Sequence, residues 1–196
     1  FKYLVTPRLL AGILVLPLLV LIGDVIGIFG GYTVAIYQLN YNAANYINTT
    51  INRRGNSDPT LHEMGTTLVA IIYYGGKYFW LNCGDSRIYR LREGKLVQLS
   101  TDHSLSNAKG EKKHSNIITN CIGAGCKSSY LDLFEFTADV HPGDTYMLCS
   151  DGLNDMVPHA DIERLMNEGC TANALCEAAI EVGGYDNVSV CMFHVE

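Results

Sequence analysis

Three aspartates sit where a carboxylate can be aimed into a cleft. Asp151 ends the apolar run of Leu148-Cys149-Ser150-Asp151-Gly152-Leu153, Asp85 lies in Asn82-Cys83-Gly84-Asp85-Ser86-Arg87, and Asp186 in Gly183-Gly184-Tyr185-Asp186-Asn187-Val188. An acid at the end of a strand, beside a glycine that leaves room for the backbone to turn, points an oxygen ligand outward. Carboxylates suit hard divalent cations such as Mg2+ and Mn2+, which prefer oxygen ligands. Each acid also has a plainer reading. Asp151-Gly152 is a turn dipeptide, Asp85 an ion-pair partner for Arg87, and Asp186 a turn acid beside Asn187. Asp102-His103 looks like an acid/base couple or a structural pair, and Gly65-Thr66-Thr67 reads as packing and strand entry.

The elements that must position these acids follow from residue 51 onward. Thr66 to Tyr74, Tyr78 to Leu81, Ser86 to Leu91 and Lys95 to Leu99 are rich in β-branched and aromatic residues, with turn chemistry at Gly75-Gly76 and Glu93-Gly94. They predict antiparallel strands in succession. Thr101 to Ser128 is a polar, lysine-bearing excursion with room for a short helix. Leu131 to Phe136 and Thr145 to Cys149 predict two more strands. Helices over Pro158 to Met166 and Ala172 to Val182 follow, then a strand over Val188 to Val195. Strands first, helices later and a returning strand predict an α+β layered domain.

The first fifty residues are of another kind. From Leu9 to Tyr37 the only formal charge is Asp24. Such a run exceeds the roughly 20 residues a helix needs to cross a bilayer. A membrane helix, or a broken pair around Pro17 and Gly30-Gly31, is the expectation. Asp24 is its functional candidate, or a loop acid between two short spans. Polar text from Asn45 to Pro59 marks a boundary near Thr50, with a loop expected over Arg53 to Pro59. The domains expected are a membrane-type segment, 1–50, and a second unit, 51–196.

Composition narrows the class. A net charge of -6 without a basic stripe excludes a nucleic-acid partner. The seven cysteines include no C-x-x-C pair, so free thiols in a reducing compartment are expected.

Two resemblances add to this reading. Leu4-Val5-Thr6-Pro7-Arg8-Leu9-Leu10-Ala11, Leu16-Pro17-Leu18-Leu19 and Asp24-Val25-Ile26-Gly27-Ile28-Phe29-Gly30-Gly31 resemble an internal piece of the MlaE-type permeases of lipid-transporting ABC systems, as far as about Thr50. Beyond it, Met64-Gly65-Thr66-Thr67-Leu68, the Asp85 motif, Leu99-Ser100-Thr101-Asp102-His103-Ser104, Ile122-Gly123, the Asp151 motif and Asp186-Asn187-Val188-Ser189-Val190 resemble, in order, the PPM-type (phosphatase 2C-like) metal-dependent serine/threonine protein phosphatases.

That second resemblance implies a β-sandwich of two antiparallel sheets flanked by helices, and hydrolysis of phosphoserine and phosphothreonine in a phosphorylated protein substrate. It also implies a Mg2+ or Mn2+ pair, with a third, looser site. Asp151 and Asp186 match the family's ligands to the pair, and Asp85 the acid of the third metal. Family members open with strands carrying an acidic ligand, a phosphate-binding arginine and an Asp-Gly-x-Gly-Gly-His turn. None of these stands before Met64, so the expectation is an N-terminally incomplete fold with impaired activity and no side chain assigned to acid/base catalysis. The location implied is cytoplasmic, with attachment to the inner or plasma membrane through 1–50. Two other functions compete: a permease fragment of a phospholipid transporter, and a non-catalytic phosphatase-like binding module.

Overall fold

The computed structural model describes residues 32–110 and 117–196. Most of the apolar run, with Pro17, Asp24 and Gly30-Gly31, lies outside the described residues, as do residues 111–116 of the polar excursion. Among the described residues no helix is long and apolar enough to cross a membrane.

The first described element is a helix, α1 (Tyr32–Ser57). It runs unbroken through Thr50 and through Arg53 to Ser57 of the stretch expected as a loop. Two of its asparagines have partners that only the fold supplies. Asn48 and Asn52, one turn apart, each donate a side-chain amide hydrogen to the Cys126 carbonyl, at 3.0 and 2.8 Å, and accept the Gly123 and Gly125 N–H groups, at 2.7 and 3.0 Å. Ala44 is buried on the same side.

Among the described residues nine strands follow. The expected Thr66 to Tyr74 strand is divided at Thr67 into β1 (Gly65–Thr66) and β2 (Leu68–Tyr74). After β2 come β3 (Lys77–Cys83), β4 (Arg87–Arg92) and β5 (Lys95–Gln98), then β6 (Ile122–Gly123), β7 (Asp132–Glu135), β8 (Thr145–Cys149) and β9 (Val190–His194). Thr67 marks the division because β1 pairs with β6 whereas β2 pairs with β3, from Leu68 opposite Cys83 to Tyr74 opposite Lys77. The helices between them are α2 (Leu105–Lys109), α3 (Asp151–Asn154), α4 (His159–Asn167) and α5 (Ala172–Glu181). Side-chain caps from Ser104 and Thr171 start α2 and α5.

All pairings are antiparallel, in one sheet of order β2-β3-β7, one of order β5-β4-β8-β9, and the small β1-β6 pair. Alternation along each strand builds the layers. Val69, Ile71 and Trp80 of the first sheet pack against Ile88, Leu148 and Phe193 of the second. The alternate residues of the second sheet, Tyr89, Met147 and Cys149, face the other way and bury Ile162, Met166, Leu175 and Ala179 of α4 and α5. A two-sheet sandwich with a helix pair on one face is therefore the architecture, and its strand ends carry the acids.

Candidate active site

Asp85 occupies the turn from β3 to β4, and its surroundings are tightly fixed. Gly84 has a φ of 114°, and a Cβ there would collide with the Thr67 side chain, so glycine is required before the acid. His103 holds Gly84 from both sides: its Nδ1 accepts the Gly84 N–H at 3.0 Å, and its own N–H donates to the Gly84 carbonyl at 2.9 Å. Nδ1 also faces the Asn120 amide at 2.8 Å, so the proton belongs on Nε2, which donates to Asp132 at 2.9 Å. Arg87, which in the plainer reading of Asp85 would be its ion-pair partner, grips Asp102 in a fork, Nε and Nη2 lying 2.9 and 2.6 Å from its two oxygens. Asp102 and His103 are both buried, and through Arg87 and Gly84 they brace the two sides of the Asp85 turn.

Asp151 is the first residue of α3, directly after β8. Gly152 beside it leaves space for the Asn187 carbonyl, which a Cβ would strike. Ser150 ties the two segments together. Its N–H donates to the Ser189 carbonyl at 3.0 Å, its hydroxyl to the Asn187 carbonyl at 3.2 Å, and its Oγ accepts the Ser189 N–H at 3.0 Å. Asp186, one residue before this zipper, is exposed and accepts the Asn187 N–H at 2.7 Å, which is the geometry of a turn acid.

Electrostatics link the three. Burial, then the charge of Asp151, pushes the Asp85 carboxyl up to about 6. Burial, then the charges of Asp186 and Asp155, raises Asp151. Asp155 was not singled out from the sequence. It stands one helical turn after Asp151, an i, i+4 spacing that could have revealed it, but the four-residue α3 has no periodicity to read.

Like charges gathered around the buried Asp85 and the half-buried Asp151 are what a divalent cation relieves, and oxygen donors suit Mg2+ or Mn2+. The fit is partial, however. Among the described residues no three His, Cys, Asp or Glu side chains converge on one point as a ready cation cage. The acids suit a cation that keeps much of its water.

Similarity to known proteins divides along the chain. The Permease MlaE family matches residues 1–74. Over 49 residues, 25% of this chain and 19% of the relative, the chain is 59% identical to a probable ABC transporter permease of Rickettsia typhi. The greater part is similar to phosphatases. It is 33% identical to the serine/threonine phosphatase Stp of Listeria innocua over 74% of this chain and 63% of the relative. For the serine/threonine protein phosphatase PstP of Mycobacterium tuberculosis the identity is 32%, over 76% of this chain and 31% of the relative. The chain thus spans less than two thirds of these relatives. Among solved structures, the serine/threonine phosphatase of S. agalactiae superposes with a TM-score of 0.73 at 30% identity, over 83% of this chain and 72% of that one. The catalytic domain of PstP in complex with two manganese ions gives 0.62 at 31% identity, over 76% and 67%. The sandwich, the order of its motifs and these matches agree: the chain belongs to the PPM-type serine/threonine protein phosphatases.

Proposed function

We propose that this chain hydrolyses phosphoserine and phosphothreonine in a phosphorylated protein substrate, in a reaction dependent on Mg2+ or Mn2+ held by Asp85, Asp151 and Asp186. The feature that carries the reading is the charge of Asp151 acting on the buried Asp85 from an adjoining strand end, where burial makes each charge costly without a cation. A bound divalent ion supplies Lewis acidity and an ionised water. The residues supply position. Asp151, flanked by Asp85, Asp155 and Asp186, is the central ligand. His103 and the Arg87–Asp102 pair hold Asp85, and Ser150 keeps the Asp186 segment against the start of α3. Asp85 must give up its carboxyl proton before it can hold a cation.

Phosphate release from a phosphothreonine peptide by the full chain in millimolar Mn2+ tests this. The expected outcome is release that is lost on chelation and in Asp151→Asn. Peptide binding without release would replace the reading with that of a phosphatase-like binding module.

A second proposal concerns residues 1–50, for which the 59% identity to a permease is the specific observation. These residues attach the phosphatase unit, 51–196, to the inner membrane with that unit in the cytoplasm, and α1 carries the division between them. The match covers only 19% of the permease, which favours attachment over transport. Co-flotation of the full chain with phospholipid vesicles is expected. A chain monodisperse in buffer without detergent would overturn it.

A further inference from the structure

Outside the acid cluster, one pair of reactive side chains is held in contact. Cys121 and Cys126 flank the β6 turn, and their sulfurs lie 3.2 Å apart. The turn between them is tight. Gly123, Ala124 and Gly125 all have positive φ, and the Cys126 N–H closes back on the Gly123 carbonyl at 2.9 Å. It is also braced from outside. Ala124 donates to the Met64 carbonyl at 2.7 Å, Ser129 Oγ donates to the Cys121 carbonyl, and Asn48 and Asn52 of α1 together satisfy Gly123, Gly125 and Cys126. Backbone braced in this way keeps the two sulfurs together, giving one thiol a high effective concentration at the other. A disulfide needs about 2.05 Å between sulfurs, so closure asks for a shift of about 1 Å, within reach of side-chain rotation.

We propose that Cys121 and Cys126 form a redox-responsive pair that closes to an intrachain disulfide when the oxidant is a low-molecular-weight disulfide. The Cys126 sulfur attacks the external disulfide, forms a mixed disulfide and expels one thiolate. The Cys121 sulfur then attacks the Cys126 sulfur and expels the second. The protein loses two electrons and two thiol protons, and the external disulfide is reduced to two thiols. Burial, then the hydrogen bond and charge of Cys126, pushes Cys121 up to about 12, which makes it the poorer initiator and assigns it the closing step. Cys83 lies near both thiols, but it is fully buried and likewise pushed up to about 12 by that burial, which removes it as a competitor.

The other consequence concerns α1. Cys126 supplies the carbonyl that both asparagines share, so closing the bridge stiffens the surface on which the helix is docked.

Incubation of the full chain with glutathione disulfide under native conditions, followed by peptide mapping, tests the pairing. The expected product is one chain lighter by two hydrogens, with Cys121 linked to Cys126 and restored by reductant. Cys121→Ser should accumulate a glutathione adduct on Cys126, whereas Cys126→Ser should lose both bridge and adduct; matching alanine variants guard against a folding defect peculiar to serine. Stable glutathione adducts on both cysteines of the parent chain, two unmodified thiols, or a bridge to Cys83 would each overturn the proposal.

Discussion

Gly84 and His103 hold each other by two hydrogen bonds, one from the Gly84 N–H to the imidazole Nδ1 at 3.0 Å and one between their backbones at 2.9 Å. The ring therefore acts as a fixed acceptor behind the Asp85 turn. His103→Ala leaves the Gly84 N–H and the Asn120 amide without it, and should cost about 3 kcal/mol, since each buried polar group left unpaired costs about 1–3 kcal/mol. Urea denaturation measures this. A loss under 1 kcal/mol would mean that water replaces the ring and the bracing is dispensable.

Asp85 makes the metal-free protein less stable as pH rises. Its folded carboxyl titrates at about 6, above its unfolded value just under 4. Between those values the folded state binds more protons than the unfolded, so stability falls as pH rises through this window and levels off above it. Two pH units at about 1.4 kcal/mol each give about 3 kcal/mol, which solvent screening at the partly open carboxyl lowers to on the order of 2 kcal/mol. Asp85→Asn should remove that slope and raise the metal-free melting temperature at pH 7.5 by roughly 5 °C. Melting curves of parent and variant from pH 4 to 8, in chelator, decide it; parallel pH profiles would show that Asp85 is not the group responsible.

Mn2+ affinity should fall further in Asp151→Asn than in Asp85→Asn. Asp151 feels the charges of Asp186 and Asp155 and itself acts on Asp85, so a cation at the centre of the group depends on it most. Calorimetric titration should show at least about a tenfold loss for Asp151→Asn, or 1.4 kcal/mol, and a smaller one for Asp85→Asn. The reverse order would move the cation toward the β3–β4 turn.

Gly152→Ala puts a methyl group against the Asn187 carbonyl, which is backbone and cannot swing aside. Overpacking of this kind costs about 1–3 kcal/mol. The variant should also weaken Mn2+ binding, because relief of the clash parts the Asp186 segment from α3. Unchanged affinity in a destabilised variant would separate packing from the site.

The strands and the later helices were legible because each carries its own periodicity and turn residues. The α4 and α5 boundaries fall within a residue of expectation. The polar stretch from Asn45 to Ser57 was not. Its asparagines look like loop text until a turn some seventy residues onward supplies their hydrogen-bond partners, and no local pattern announces that. Division of the first strand at Thr67 was hidden for the same reason, since a change of pairing partner leaves composition untouched. Of the site, the sequence marks Asp85, Asp151 and Asp186 through their glycines and strand ends. It does not tell which arginine pairs with which acid: Arg87 and Asp102 meet only once β4 and the segment after β5 lie side by side.

The Ser150 zipper has a consequence for the order of events in folding. It fastens the end of β8 to the segment that leads into β9, across both helices α4 and α5. Asp151 and Asp186 thus meet through a non-local closure, of the kind that is slow to form. A chain interrupted before β9 can build most of the sandwich core yet cannot bring these two acids together. Cation binding would then report completion of the whole sheet, and would arrive too late to seed it.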